Sequence, residues 1–586
     1  MNPDVTRRTV LKWMGGIAAG LALSPAPYAL VDDLTIATQT RGRSVALPTG
    51  PRGRVRTRCS ACPYGCSLEL HTVGGRPYLA VPAVGTSLAC ALRPAVHHLA
   101  AAPDRLDAAT IDDRSVESLE GLDTAAAWLD DAMARRATIG MIDLSGRPPA
   151  ATPMAALAER VPGTVWIGTR AHWLDDLAAR LGLDGDVELS IDAERAGDAV
   201  FVRSGRSTGV ARAVERGEDP RGIARRLRRT GSSGVLIGDD GVGARPDDAV
   251  LASVAEVDVH LDAIGPGRLI VPRRPVPGPR GVRMATLDEV ADASLDLLVV
   301  DASRVCGSVP WRRILRKLRS DAGRSIVFAT APGPAARQGD LVLPASAPLE
   351  IEEAVGGRRV GDAARIALST PVLGRPAACV DVADLTQCFD PDAVRGAEAV
   401  AAVLVDAGRG RLRAPDGGTR AVDGAGVNTV AGALRSGAVW EGEPLGARPL
   451  RHPVRAPAAA DGRPRLVLEG AVVAAAGERV PDVLSKVVRE QALLACEGRA
   501  RVHPDDLVAW GVRDGERCHL RTTAGDLHVV LSADASVVRG HVIAGCGLGP
   551  EAFGETEPRP SSTVLESLDL DPRSEAPPVI HAVEVS

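Results

Sequence analysis

The chain is 586 residues long, enough for three or four domains, and 45% of it is hydrophobic, with a formal net charge of −5 from 69 basic and 74 acidic side chains. That balance lacks the basic footprint of a nucleic-acid-binding protein, so no nucleic acid is expected as a partner. Aromatic residues make up only 2%, which leaves Ala, Val and Leu to fill the cores; recurring apolar periodic segments argue against disorder.

The first element is Thr6-Arg7-Arg8-Thr9-Val10-Leu11-Lys12, a twin-arginine pattern, followed by an apolar run over 13–23 that contains three glycines. The run is too short and too weakly apolar for a comfortable membrane span, and reads as the core of an export signal. The twin-arginine route carries folded proteins, as one loaded with a cofactor in the cytoplasm requires. No clean small-x-small site stands out over 22–29, so cleavage stays open. Residues 1–45 are expected to be signal and linker. The rest then belongs on the periplasmic side, touching the membrane only through partners or an uncleaved signal.

Next comes Cys59-Ser60-Ala61-Cys62-Pro63-Tyr64-Gly65-Cys66, joined downstream by Cys90, a C-x2-C-x3-C-x23-C spacing. Pro63 and Gly65 punctuate the loop, so its backbone can fold around a ligand. Three thiols in one loop and a fourth from a separate turn suit a 4Fe-4S cubane, in which each iron takes one thiolate. Structural zinc, which usually takes its ligands as two close pairs, and two disulfides in an exported chain both remain open. Cys306, Cys379, Cys388, Cys496, Cys518 and Cys546 are scattered singly and read as small buried hydrophobes.

The stretch from Cys59 to Leu106 ends Leu88-Ala89-Cys90-Ala91-Leu92-Arg93-Pro94 and then Ala102-Pro103-Asp104-Arg105-Leu106. It resembles the opening domain of the molybdopterin oxidoreductases, the bis-pterin molybdenum or tungsten enzymes such as formate dehydrogenases and periplasmic nitrate reductases. The resemblance implies a 4Fe-4S domain over 50–110, with Cys59, Cys62, Cys66 and Cys90 as metal ligands. The family carries Lys-Gly at the second and third positions after the last cysteine, where this chain has Leu92 and Arg93. Arg93 is therefore the candidate for the lysine's place between cluster and pterin.

Over 111–407 short apolar runs alternate with helical patterns. The periodicity predicts a helix over 122–133 and buried strands over 139–144, 199–202, 235–238, 297–301 and 325–329. Continuous apolar strands spaced by helices indicate an α/β fold with parallel sheets covered on both faces, whose ligands bind past the carboxyl ends of the strands. Gly238-Asp239-Asp240-Gly241-Val242-Gly243 follows one such strand. Gly238 is a candidate phosphate contact, set against an ordinary tight strand-to-helix connection. The stretch Gly339-Asp340-Leu341-Val342-Leu343-Pro344-Ala345 through Glu350, then Val355-Gly356-Gly357-Arg358, resembles the segment that lines the pterin site in the same family. The resemblance makes Glu350 and Arg358 candidate cofactor contacts. Glu352-Glu353-Ala354 departs from the family's Gly-Thr, and acidic side chains are poor neighbours for a pterin diphosphate. The region looks closest to the large peripheral subunit of respiratory complex I and to compact formate dehydrogenases.

Residues 408–460, rich in Gly, Arg, Ala and Pro, are expected to be a linker or surface excursion. Beyond them, over 461–586, Val502-His503-Pro504-Asp505 leads through Trp510-Gly511-Val512-Arg513-Asp514-Gly515-Glu516 into paired strands, which suggests a small barrel. This resembles the family's C-terminal dinucleotide-binding double-psi β-barrel and makes His503 and Asp505 candidate contacts; a helix-capping or packing role for His503 competes.

The resemblance implies one 4Fe-4S cluster and a bis-molybdopterin guanine dinucleotide with Mo or W, working with electron-transfer iron–sulfur or membrane subunits. No cysteine lies between Cys90 and Cys306, and nothing singles out Ser190, Asp175 or Asp176 as the metal ligand. Three readings follow. The first is an exported oxidoreductase subunit passing electrons between the cluster and a Mo or W site. The second is a degenerate relative that has lost the metal and serves as an electron-transfer or scaffold subunit. The third is a zinc-stabilised binding protein.

Overall fold

The computed structural model describes residues 49–61, 65–83, 93–102, 105–145, 151–168, 173–183, 187–191, 198–202, 210, 213–214, 218–237, 248–275, 278–304, 311–320, 322–356, 365–445, 463–469, 499–545 and 578–585. The chain falls into two compact units. The described part of the small one is 49–53 with Thr72–Arg76, closed by Gly74 N–H donating to the Pro51 carbonyl at 3.0 Å. The large unit is Arg54–His71 with Pro77–Ser586, and the first three strands each have an end in the small one.

Strands β1 (Arg52–Arg58), β2 (Ser67–Val73) and β3 (Arg76–Pro82) form a three-stranded sheet, and β1 and β2 bracket the cysteine loop. A 3-10 helix, Arg93–Ala101, follows. The chain then lays down β4 (Ala109–Ile111), β5 (Arg114–Val116), helix α1 (Ser118–Ala134), β6 (Ile139–Asp143), α2 (Pro153–Arg160) and β7 (Thr164–Gly168). An excursion comprises α3 (Trp173–Arg180), β8 (Glu188–Ile191), β9 (Val200–Val202), α4 (Pro220–Arg229), β10 (Val235–Ile237), α5 (Asp248–Leu261) and β11 (Ile270–Arg273). The chain returns through β12 (Arg283–Thr286), β13 (Leu297–Asp301), β14 (Arg324–Ala329) and β15 (Leu341–Pro344).

These strands build an eight-stranded sheet in the order β12-β7-β6-β13-β14-β15-β4-β5, parallel from β12 to β15 and antiparallel beyond. Alternation sends Leu297 and Val299 of β13 into one core with Leu129, Met141, Leu157 and Phe328. Leu298 and Val300 enter another, with Ile142, Ile167, Val327 and Trp311. Apolar side chains on both faces make β13 read as an unbroken hydrophobic run. All five strands expected from periodicity form. β6, β13 and β14 lie in this sheet, whereas β9 and β10 pair parallel in a separate two-stranded sheet inside the excursion, which has its own core around Leu177, Ile223 and Leu251.

After the sheet come β16 (Glu353–Gly356), β17 (Arg365–Ser369), α6 (Val382–Phe389) and α7 (Gly396–Ala407). The expected linker over 408–460 needs correction in its first part. That segment carries β18 (Arg411–Arg413), β19 (Thr419–Ala421), α8 (Val427–Arg435) and β20 (Val439–Glu441), whose strands complete a five-stranded sheet, β16-β17-β20-β18-β19. Three-residue strands are too short to show a period, but Leu412, Val430, Leu434 and the fully buried Trp440 join one core with Leu404 of α7. Residues 446–460 of the expected linker, and the expected signal over 1–45, lie outside the described residues.

The C-terminal region has a mixed six-stranded sheet, with β21 (Arg465–Glu469), β22 (Arg499–Val502), α9 (Pro504–Trp510), β23 (Glu516–Thr522), β24 (Gly525–Ala533), β25 (His541–Gly545) and β26 (Ile580–Val585) in the order β21-β25-β22-β24-β23-β26. Its two edges meet, because Leu466 N–H donates to the Pro578 carbonyl at 2.9 Å and Ile580 N–H to the Pro464 carbonyl at 2.7 Å. Joining the edges removes open backbone donors, as a closed sheet must. No helix among the described residues is long and apolar enough to cross a membrane.

Within the excursion, α5 carries a fully buried carboxylate. Asp258 Oδ1 accepts the Val235 N–H at 2.7 Å, and Oδ2 has no partner among the described residues. Burial pushes its pKa well above the usual carboxylate range, against the pull of that one hydrogen bond. A raised folded-state pKa contributes stability that is complete below the unfolded value of about 3.9 and is lost as pH rises toward the folded value. Unfolding free energy measured against pH is therefore expected to decline upward from about pH 4 through this group. Asp258→Asn should remove that part of the slope, and an unchanged slope contradicts the assignment.

Candidate metal centre

The cysteine loop begins where β1 ends. Cys59 N–H donates to the Cys66 carbonyl at 2.8 Å, closing the loop at its base, and Arg58 Nη1 donates to the Gly65 carbonyl at 3.0 Å. Gly65 has φ +57°, and a Cβ there would lie 2.5 Å from the Gly356 carbonyl oxygen and 2.7 Å from Val355 Cγ2. Only glycine fits a left-handed turn so closely packed on β16. Cys59 is buried with Ala61, Leu68, Leu70, Val96 and Leu349, and the half-buried Cys66 packs against the same cluster. Thr57 and Arg58 tie the approach to β17, with Thr57 Oγ1 donating to the Thr370 carbonyl at 2.8 Å and Ser369 Oγ to the Arg58 carbonyl at 2.7 Å.

Leu349 belongs to the turn that follows β15, at the carboxyl edge of the parallel strands, and takes φ +70°. Ser60 Oγ lies 3.4 Å from Leu349 N–H, so the loop is seated on this turn by a long hydrogen bond as well as by apolar contact. The next residue, Glu350, meets Arg105 of the Pro-Asp-Arg-Leu run in a bidentate pair, Nη1–Oε1 2.5 Å and Nη2–Oε2 2.6 Å, with side chains 12% and 3% exposed. Glu350 Oε2 also accepts the Ala347 N–H at 2.7 Å, and Arg105 Nη1 donates to the Ala100 carbonyl at 3.0 Å. Leu106 N–H donates to the Thr330 carbonyl, just past β14, at 3.0 Å. The cysteine loop, the 3-10 helix and the Arg105 run are thus gathered at the edge where open α/β sheets bind ligands.

Arg105 Nη2 further reaches Cys379 Sγ at 2.9 Å. Burial pushes the Cys379 thiol up, with the guanidinium pulling the other way. Desolvation opposes the charge on Arg105, but Glu350 outweighs it and holds the guanidinium above its ordinary range. Beside it, Asp381 accepts from Ser346 N–H at 2.9 Å and Ser346 Oγ at 2.7 Å.

The acidic residues that looked unfavourable in the sequence each have a cation. Glu352 accepts from Arg435 Nε at 2.7 Å and Nη2 at 2.8 Å, which lowers its pKa. Glu353 Oε1, buried, accepts from Arg304 Nη2 at 3.0 Å and Nε at 3.2 Å; Arg304 Nη1 also reaches the Ser346 carbonyl at 2.5 Å. Glu350 is likewise turned to Arg105, not outward. These pairings were hidden in the sequence because the partners lie 49 to 245 positions apart.

Of the other candidates, Cys62, Cys90, Gly238 and Arg358 lie outside the described residues, and Arg93 opens the 3-10 helix. His503 caps α9, its Nδ1 accepting the Asp505 N–H at 3.2 Å, so that nitrogen carries no proton for the Asp505 carboxylate 3.7 Å away. Asp505 is exposed, with Oδ2 3.9 Å from Arg539 Nη1. Ser190 pairs with Val271 between β8 and β11, and Asp175 and Asp176 lie on α3. Among the single cysteines, Cys379 and Cys518 are buried as expected, whereas Cys388 is exposed; Cys306, Cys496 and Cys546 lie outside the described residues. Among the described residues no group of three or more His, Cys, Asp or Glu side chains is arranged to hold a metal ion.

One residue escaped sequence reasoning. His97, in the 3-10 helix, is 7% exposed, and neither ring nitrogen has a hydrogen-bond partner among the described residues. Burial, with the neighbouring His98, lowers its pKa to about 4.

No protein-family model matches the chain, and it matches no curated protein. Among solved structures it is similar to acetylene hydratase from Pelobacter acetylenicus, with a TM-score of 0.55 and 12% identity over 91% of this chain and 100% of that one. The likeness shows a common mixed α/β fold and nothing finer. The formyltransferase/hydrolase complex from Methylorubrum extorquens, in complex with methylofuran, also matches at 12% identity over 48% of this chain and 98% of that one, but its TM-score of 0.28 carries no argument.

The Arg105–Glu350 pair gives a direct test of how the site is built. Removing one partner of a buried pair leaves an uncompensated charge, worth about 3–5 kcal/mol. Denaturant unfolding of Glu350→Ala should show a loss of that order, and the double variant Arg105→Met/Glu350→Leu should recover much of it. A loss below about 1 kcal/mol, the range of exposed pairs, contradicts the burial described here.

Proposed function

We propose that this chain is an exported iron–sulfur subunit on a molybdopterin-oxidoreductase scaffold, passing single electrons through one 4Fe-4S cluster. The observation that carries the reading is the seating of the C-x2-C-x3-C loop, closed at its base by Cys59 and Cys66, on the turn at the carboxyl edge of the parallel sheet. The fold shared with acetylene hydratase along almost the whole chain supports it.

The described residues suit a cluster. Cys59 and Cys66 are drawn together in apolar surroundings, and Gly65 lets the loop turn back tightly. Cys59, Cys62, Cys66 and Cys90 would hold the irons, and the bound group would take up and release one electron at a time. The chain's own part is to exclude water with Leu68, Leu70 and Leu349, and to hold the loop through Ser60 and Arg58.

For the bis-pterin Mo or W cofactor the described residues of this edge fit less well, Arg358 lying outside them. A pterin diphosphate needs cations, yet Arg105, Arg304 and Arg435 are committed to Glu350, Glu353 and Glu352. This pairing favours the second reading, a relative that keeps scaffold and cluster without the metal and serves as an electron-transfer or scaffold subunit beside iron–sulfur or membrane partners. Export by the twin-arginine route to the periplasmic side belongs to the same proposal, on the strength of Arg7 and Arg8.

Elemental analysis of the anaerobically purified chain separates the readings. Iron alone is expected, and Cys66→Ser should lose most of it. Iron together with molybdenum or tungsten returns the chain to the bis-pterin enzymes. Zinc without iron overturns the proposal.

A further inference from the structure

Helix α4, Pro220–Arg229, is 10 residues long and five of them are arginine, in a chain whose formal net charge is −5. Asp219 caps it, accepting the Arg221 and Gly222 N–H groups at 3.2 Å each. At about 100° per residue, Ile223, Ala224 and Leu227 fall within an arc of about 100° and are buried in the core of the excursion. Arg221, Arg225, Arg226, Arg228 and Arg229 fill the opposite side, and all five are exposed. Arg226 pairs with Glu218 at 2.8 Å, and Arg228 donates to the His260 carbonyl at 2.6 Å. Arg221, Arg225 and Arg229 have no carboxylate partner among the described residues; Arg225 and Arg229 lay Nε on helix carbonyls one turn back, at 3.4 Å each. These three stand in a row at i, i+4 and i+8, about 12 Å from end to end. Such a row opposes the helix. Like charges at i, i+4 repel, and Arg221 sits in the first turn, which holds no acidic residue and where the helix dipole is itself positive.

We propose that the exposed face of α4 is a docking surface for the anionic headgroups of a phospholipid membrane. It stands apart from the cluster reading, and needs neither iron nor an uncleaved signal. A headgroup phosphate is the complement of a guanidinium, which meets it with two parallel N–H donors. An acidic protein would offer carboxylates to the same arginines, but a protein interface is built around an apolar centre. Among the described residues, none of the large exposed apolar side chains lies between Trp173 and Arg273. The helix also has no apolar side left to insert into a bilayer, because Ile223, Ala224 and Leu227 are buried in the excursion's core. What remains is a surface of charge alone, which lies on the headgroups without entering them and whose hold weakens steeply with salt.

The test measures co-sedimentation of the full chain with vesicles of phosphatidylglycerol or of phosphatidylcholine. Each basic side chain at an anionic surface strengthens association about fivefold, so Arg221→Gln/Arg225→Gln/Arg229→Gln should weaken binding to phosphatidylglycerol about 100-fold. Arg114→Gln/Arg283→Gln/Arg420→Gln removes the same charge from exposed positions elsewhere and should bind nearly as wild type does. Residues 1–45 are common to all three proteins, so any hold of their own cancels from the comparison. The wild-type preference for phosphatidylglycerol should fade between about 0.1 and 1 M salt, as the screening length falls from about 10 to about 3 Å. Equal binding by wild type and the α4 variant overturns the inference, and so does an equal loss in the control. Tighter binding of wild type to duplex DNA or poly-glutamate than to the vesicles, at the same concentration of charge, reassigns the face and overturns it too. If the α4 variant fails to fold, hydrogen exchange of wild type decides. Slower exchange across 220–229 on phosphatidylglycerol than on phosphatidylcholine supports the docking, and no difference overturns it.

Discussion

The bidentate pair between Arg105 and Glu350 is the constraint on which the rest of this edge depends. It joins the run after the cysteine region to the turn after β15, and that turn carries Leu349, on which the cysteine loop rests. The pair is nearly dry, so neither partner can be left alone without a large penalty, and the two segments are held as one piece. The same guanidinium reaches Cys379 and the Ala100 carbonyl, so the 3-10 helix is tied to the same point. Apolar burial alone would hold these parts near one another, whereas the hydrogen-bonded fork fixes their register.

The edge is also notable for how it handles charge. Three glutamates in four positions, Glu350, Glu352 and Glu353, face three arginines drawn from different parts of the chain. Each glutamate meets an arginine, Arg435 being shared with Glu398, and the side chains packed on the cysteine loop are mostly apolar. A largely apolar environment, which Arg58 enters at the Gly65 carbonyl, suits a group that exchanges electrons, because there a few hydrogen bonds weigh heavily on its potential.

Much of the fold was legible in the sequence. β6, β13 and β14 announce themselves as continuous apolar runs because both their faces are covered, and β9 and β10 do the same on a smaller scale. The segment around β18 to β20 did not, because three-residue strands carry no readable period and its Gly- and Arg-rich composition resembles a linker. At the site, the cysteine spacing and the Pro-Asp-Arg-Leu run could be read directly. Glu350 was singled out, but its partner was not, since nothing local reveals an ion pair spanning 245 positions. For His503 capping was one of the roles left open beside cofactor contact, whereas His97 gave no signal, because its oddity is the absence of partners in three dimensions.

The central claim is that the four-cysteine set gathers around one inorganic core at this edge. Mössbauer spectroscopy of the anaerobically purified, ⁵⁷Fe-enriched full chain tests it most directly. The account predicts the signature of a single four-iron cubane that accepts one electron. A chain without iron, with its cysteines oxidised to disulfides or holding zinc, would contradict it.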